Sequence, residues 1–167
     1  GEVIELVLDS FEEVMKAGPL AREPTLKLKV SLVDLKLHED AIHRGPAQVY
    51  PAIREGLRAA FKEATPTIFE PVQVHQIEAP IEFMGAVTSL VSTKRGSLVD
   101  VQQDETGITV RAELPVQEML GWTSDLRSAT AGRGVSSLVS QTFKKLPNDY
   151  QIKIIKQIRT RKGLAEN

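Results

Sequence analysis

Between residues 72 and 143 the spacing of apolar side chains switches from period two to period 3.6 and back, and then does so a second time. Residues 72–78 alternate as a strand. Pro80 then opens a helix with Met84, Val87 and Val91 as inward positions, which Gly96 ends. Residues 98–102 and 108–114 alternate as two strands joined by Asp104, Glu105, Thr106 and Gly107, a hairpin composition. Residues 116–129 return to helical spacing, and 135–143 supply a fourth strand. A sheet buries one face and a helix one stripe, so this order predicts two helices covering one side of a four-stranded antiparallel sheet.

Strand, helix, strand, strand, helix, strand is the split βαβ order of ferredoxin-like domains. The first third reads differently. Val3, Ile4, Val7, Leu8, Phe11, Val14 and Met15 paint one helix face, and Gly18 and Pro19 stop that helix. Across 25–37 Leu26, Leu28, Val30 and Leu32 fall on one parity and Val33, Leu35 and Leu37 on the other, which predicts a long strand with a bulge at the switch. After a polar stretch, Val49, Ile53, Leu57, Ala60, Phe61 and Ala64 restore helical spacing, with Pro46 tolerated near the helix start. Thr65, Pro66, Glu70 and Pro71 break every period and mark a boundary. Pro147, Asn148 and Asp149 open a final helix over 150–162, with Ile152, Ile155 and Ile158 as its stripe and Gly163 as its stop. The expected fold class is α+β: a unit 1–70 of helix, strand, loop and helix, a ferredoxin-like unit 71–147, and a basic helix within 148–167 that packs back on the first unit.

At 167 residues, 41% hydrophobic and 26% charged, the chain has the size and composition of one or two globular units. Its net charge of −1 excludes a strongly basic nucleic-acid coat, yet residues 151–167 hold five basic side chains against one acidic. The absence of cysteine excludes disulfides, thiolate metal sites and a cysteine nucleophile, and fits a reducing cytoplasm. Apolar runs fall far short of the roughly 18 residues that cross a bilayer, so a soluble, cytoplasmic chain with no membrane partner is expected. A first residue Gly instead of Met suggests a processed, tagged or excised chain.

The densest polar cluster is His38, Glu39, Asp40, Ala41, Ile42, His43, Arg44 and Gly45. Two histidines five apart lie about 140° apart around an ideal helix, so they diverge there and miss the spacing of helical zinc sites. In a loop they could still converge with Glu39 or Asp40 on a metal, and a solvated polar turn is the simpler reading. His75, on a strand, reads as a packing or water-facing residue. No Gly-rich phosphate loop ending in Gly-Lys-Ser or Gly-Lys-Thr and no Gly-x-Ser-x-Gly elbow occurs, so nucleotide hydrolysis and serine chemistry lack their parts. Lys94, Arg95, Arg127, Arg133, Lys144 and Lys145 could make a few phosphate contacts, although on composition alone solvated surface charge is the favoured reading. Trp122 suits a core or interface anchor better than a base-stacking platform.

The run from Leu37 through Arg44, Gly45, Pro46, Ala47 and Gln48, followed by Glu70-Pro71, resembles the tip of domain IV in the archaeal and eukaryotic translation elongation factor 2 family. Met84-Gly85-Ala86-Val87, Lys94-Arg95-Gly96, Leu114-Pro115-Val116 and the run 125–134 resemble that family's domain V, and 159–164 resembles its closing helix. Pro46-Ala47, where the eukaryotic form has Gly-Gly, points to the archaeal branch. The resemblance implies a C-terminal fragment: part of domain IV with a tip at 38–48, then domain V. It implies diphthamide modification of His43 by the diphthamide-synthesis enzymes. It also implies a decoding-site tip of His38, Asp40, Ile42, His43, Arg44, Gly45 and Gln48 that braces tRNA and mRNA during translocation, and ribosome contacts at Lys94, Arg95, Arg127 and Arg133. GTP and Mg²⁺ would enter only through a GTPase domain absent from this chain, so the fragment itself is expected to be no enzyme, with no cofactor and no metal of its own. The strands of domain IV that should pair beside residues 26–37 are also absent, which predicts an open edge and a dimer formed through it. Two other readings are a stand-alone RNA-binding or regulatory module of the same architecture, and a metal-dependent enzyme around His38, Glu39 and His43.

Overall fold

The computed structural model describes residues 1–165, so the last two residues of the expected segment 148–167 lie outside the described residues. The chain divides into two compact units, one of residues 1–68 and 147–167 and the other of residues 69–146.

The second unit is built as its alternating periods require. Strand β1 (Phe69–Ala79), helix α3 (Met84–Thr93), strands β2 (Ser97–Gln103) and β3 (Ile108–Pro115), helix α4 (Trp122–Ala129) and strand β4 (Val135–Lys145) follow in order. The sheet runs β2-β3-β1-β4, every pair antiparallel, which is the ferredoxin-like topology. Ile77 sits opposite Val110 on β3 and Ser136 on β4. Its face carries the core: Ile77, Val87, Val91, Val110, Leu114 and Leu126 are at most 2% exposed. Val87 and Val91 are inward positions of α3, as the spacing requires, and Met84 packs against the same cluster. Completely burying one such aliphatic side chain contributes about 1.5–3 kcal/mol. The hairpin between β2 and β3 is closed by the Asp104 carboxylate, which accepts hydrogen bonds from the backbone N–H groups of Thr106 and Gly107.

In the first unit helix α1 (Glu2–Lys16) and helix α2 (Pro46–Glu63) pack together, and helix α5 (Asn148–Arg161) belongs to the same unit. Val49, Leu57 and Phe61 are the buried positions of α2, and Ile53 is half-buried. On α1 the buried residue is Ser10, whose hydroxyl reaches the Tyr50 carbonyl at 3.5 Å, while Ile4 and Leu8 of the apolar stripe remain about half exposed. A small side chain at the crossing lets the helices approach, so the stripe alone does not mark the contact. On α5 the inward positions are Ile154, Ile155 and Ile158, while Ile152 is 81% exposed. The expected stripe of 152, 155 and 158 advances by three each time and drifts off one helix face, whereas 151, 154, 155 and 158 keep to it.

The strand expected over 25–37 does not form. That segment is irregular, with Lys27 in the left-handed region at φ 56°, and Leu26, Leu28, Val30 and Leu32 are 41–53% exposed. Alternation specifies a two-faced surface, but a strand exists only with a neighbour to complete its ladder, and among the described residues of this unit there is no second strand.

Candidate nucleic-acid interface

The polar cluster lies between the irregular segment and α2 and folds on itself. Asp40 caps a single 3-10 turn, Ala41–His43, with its carboxylate accepting from the Ile42 N–H at 3.1 Å. The Asp40 N–H in turn donates to Nδ1 of His38 at 3.1 Å, which leaves the proton of a neutral His38 on Nε2. Arg44 reaches backwards: its Nε donates to the His38 carbonyl at 2.6 Å and one terminal nitrogen donates to the Glu39 carbonyl at 2.8 Å. Half-buried Arg44 therefore ties the end of the loop to its beginning. This closure brings the His38 and His43 rings to 4.6 Å between centroids, edge to face at 65°. The divergence calculated for a continuous helix does not apply, because the chain turns between them.

His38, Asp40, Ile42, His43 and Gln48 are exposed, with Ile42 at 75%, and Gly45 is half-buried at the entry to α2, where Pro46 takes the first helical position. A Cβ on Gly45 would meet only Gln48 Oε1 at 3.6 Å, so the local packing does not demand glycine there. Among the described residues no three His, Cys, Asp or Glu side chains come together as a metal site. The tip offers a braced backbone, two imidazoles and an exposed isoleucine, a surface suited to contact without bond-making.

The four cations singled out on the second unit separate into two kinds. The Lys94 ammonium lies 2.7 Å from Asp125 and also donates to the Leu120 carbonyl, with its side chain 18% exposed. Arg95, 17% exposed, forks onto both Glu70 oxygens at 3.2 and 3.0 Å and onto Glu118 at 3.0 Å. Hydrogen bonds to Glu70 and then Glu118, opposed by burial, raise the Arg95 pKa further above its ordinary value. These two hold α3 to β1 and to the turn before α4. Arg127 and Arg133, by contrast, are exposed on either side of the tight turn that joins α4 to β4. Arg133 pairs with Glu82 at 2.9 Å and lies 5.9 Å from the centre of the Phe83 ring. That turn is stiffened from inside by fully buried Thr130, whose hydroxyl donates to the Leu126 carbonyl and accepts from the Gly134 N–H, each at 2.7 Å. Gly134 is required by this approach, since a Cβ there would fall 2.6 Å from the Thr130 oxygen. The sequence carries no direct sign of which cations are internal; the acidic partners lie 23 to 31 positions away.

The family described as elongation factor G, domain IV, matches residues 1–65, and that described as elongation factor G C-terminus matches residues 67–154. The chain belongs to the elongation factor 2 family. It is 48% identical to elongation factor 2 of Nanoarchaeum equitans over 98% of its own length, and 48% identical to that of Pyrococcus furiosus over 99%. Identity to elongation factor 2 of Methanosphaera stadtmanae is 45% over 98% of the chain. These relatives are archaeal translation factors, and the chain spans only 22–23% of their length. The part it matches is the C-terminal part of elongation factor 2.

GTP and Mg²⁺, implied by the family, do not fit the residues present. The β1 to α3 connection runs through Pro80, Ile81, Glu82 and Phe83, with a carboxylate and no glycine or lysine where a phosphate cradle would lie. The entry to α2 has Gly45 and Pro46 without a lysine, and that to α4 has Gly121 and Trp122. No helix among the described residues is long and apolar enough to cross a membrane.

Proposed function

We propose that this chain is the ribosome- and RNA-facing part of a cytoplasmic translocation factor, with residues 1–70 as part of domain IV, 71–147 as domain V and the basic tail helix returning to domain IV. The carrying observation is the tip: a short loop braced by Arg44 and Asp40 that presents His43 and Ile42 to solvent at the end of a strand-less segment and a long helix. Such a surface positions RNA through shape, phosphates and sugars instead of reading bases. In this reading His38, Asp40, Ile42, His43, Arg44, Gly45 and Gln48 form the decoding-site contact with tRNA and mRNA. Arg44 acts chiefly by holding the loop's shape, and its remaining N–H donors face the RNA. His43 is the residue converted to diphthamide, and its exposure supplies the access that the modifying enzymes need. On the second unit Arg127 and Arg133 make the ribosomal contacts, while Lys94 and Arg95 support them from within. GTP hydrolysis belongs to another part of the parent protein.

One hydrogen bond and one salt bridge support the idea that the tail helix belongs with domain IV: Arg159 donates to the Leu20 carbonyl at 2.8 Å, and Lys162 lies 2.7 Å from Glu23. We also propose that the exposed leucines of 26–32 recruit a second copy of the isolated chain.

The test places His43→Ala in the full-length factor. Translocation on programmed ribosomes should slow or lose reading frame while intrinsic GTP hydrolysis stays unchanged. Normal translocation by a correctly folded variant overturns the assignment of the tip.

A further inference from the structure

Helix α2 breaks a rule of helix construction one turn from the tip. Pro46 takes the first helical position, where no intrahelical N–H is needed, but Pro51 stands inside the helix. Among the described residues no other α-helix has an internal proline. A proline there has no N–H to give to the carbonyl four residues back, and its ring presses against that carbonyl. The carbonyl is that of Ala47.

Its neighbour in the chain is fully engaged: the Gly45 carbonyl accepts from the Gln48 and Val49 N–H groups at 3.1 and 3.0 Å. Pro51 therefore withholds from Ala47 the donor that a regular helix supplies, between the tip residues Gly45 and Gln48. At 3.6 residues per turn, Ala47 and Pro51 each stand about 200° around the helix from Val49. Val49 is buried, whereas Ala47 and Pro51 are exposed, so the break lies on the solvent side. Proline is the worst helix former and alanine the best, so an internal proline weakens the helix that carries it. A local rule broken against stability marks a place where function sets the residue.

We infer that the Ala47 carbonyl is a hydrogen-bond acceptor held open for RNA, and that Pro51 is the positioning residue that keeps it open. The inference rests on the reading of the tip as an RNA contact and extends it to a backbone group. Its chemistry selects the group it meets. Phosphate oxygens only accept, so they suit the Arg44 donors and not a carbonyl. The carbonyl needs an O–H or N–H, which RNA offers as the ribose 2′-hydroxyl and the amino groups of the bases. A main-chain carbonyl is present whatever side chain stands at 47, so the sequence requirement falls on residue 51.

The test uses this chain for structure and the full-length factor for function. Pro51→Ala and Pro51→Gly both restore an N–H at 51, the first in a stiffer helix and the second in a looser one. In the chain, the new amide of residue 51 should be protected from hydrogen exchange in both variants by NMR. In the factor, translocation on programmed ribosomes should slow about three- to tenfold in both, the worth of one hydrogen bond, with intrinsic GTP hydrolysis unchanged. Gly56→Ala, exposed on the same helix with no atom within 4 Å of the added carbon, strengthens α2 without touching the tip and should translocate at the parent rate. Messages with 2′-deoxyribose in the decoding-site codon separate the donors: the parent slows on them and Pro51→Ala does not if the donor is a message ribose, and both respond alike if it lies elsewhere on the RNA. An unprotected amide at 51, parent-rate translocation by either proline variant, or equal slowing by Gly56→Ala overturns the inference. His43→Ala, measured alongside, separates this outcome from the wider reading. Slow translocation by His43→Ala with normal translocation by Pro51→Ala removes the open carbonyl alone, whereas normal translocation by both removes the tip assignment as well.

Discussion

Replacing Arg95 with Met should destabilise the second unit by about 2–3 kcal/mol, between the ~3–5 kcal/mol of breaking a buried ion pair and the ~0–1 kcal/mol of an exposed one. The structure sets the intermediate value. Glu70, 11% exposed, receives both terminal nitrogens of Arg95 and would be left unpaired near the start of β1, whereas Glu118, 37% exposed, can turn to water. Some of the loss is returned by backbone conformation only if the new residue tolerates φ of 53°, and Met gains nothing over Arg there. Glu118→Gln should therefore cost no more than about 1 kcal/mol. Glu70→Gln, which keeps an acceptor for the guanidinium, should cost about 1–2 kcal/mol. Arg95→Lys preserves charge without the planar fork and should recover only part of the Met loss. Urea unfolding at pH 7, followed by Trp122 fluorescence, reads all four variants in the unit that contains the network. Added salt at 0.5 M should change the Arg95→Met difference little, because the pair is largely shielded from solvent. An Arg95→Met variant within about 0.5 kcal/mol of the parent, or a Glu118→Gln cost equal to it, would show that Arg95 is free to serve a partner and that its placement in the core network is misread.

Leu57→Ala, at a position 8% exposed on α2, should cost about 2–4 kcal/mol by denaturant melt, and His43→Ala no more than about 0.5 kcal/mol; equal losses would make the tip loop structural. Thr130→Val strands the buried Gly134 N–H and should cost about 1–3 kcal/mol, and an unchanged melt would refute the role given to that hydroxyl. The Asp104 carboxyl is held below the ordinary value by hydrogen bonds from the Thr106 hydroxyl, then the Thr106 and Gly107 amides. Its contribution should thus be complete above about pH 4 and lost as pH falls through the depressed value, a dependence that Asp104→Asn should remove in hairpin amide exchange. Amides of 26–37 should exchange far faster than those of β1 in dilute monomer, and slow only where sedimentation shows a dimer.

What was legible in the sequence was whatever depends on near neighbours along the chain. The sheet unit could be read because Val87 and Val91 keep one helix face, Ile108 to Leu114 keep one strand face, and the periods are punctuated by Pro80, Gly96 and Gly107, although the helix expected over 116–129 is a 3-10 turn, Val116–Glu118, and then α4, with Gly121 between them at φ 77°. The tip could be located by its polarity, but its shape could not, because closure rests on Arg44 reaching carbonyls five and six residues back, a geometry that no periodic template contains. Residues 26–37 failed for the opposite reason. Up to Leu32 their alternation is as regular as that of β3, yet β3 has β1 and β2 on its two sides and, among the described residues, the leucine segment has no strand beside it. Pattern states which face a strand would bury; pairing decides whether there is a strand. The same distinction separates Arg95 from Arg127. In sequence both are basic residues at a helix end, and only the fold brings Glu70 and Glu118 to one of them and leaves the other in water. An assignment of RNA contacts from charge alone would spread them over four cations, whereas packing withdraws Lys94 and Arg95 into largely buried ion pairs and leaves Arg127, and Arg133 with its exposed partner Glu82, around a turn stiffened by Thr130. Arg127→Glu should accordingly weaken ribosome binding of the full-length factor without changing the urea midpoint. Arg95→Met should lower the midpoint first and affect binding only as far as the unit has unfolded.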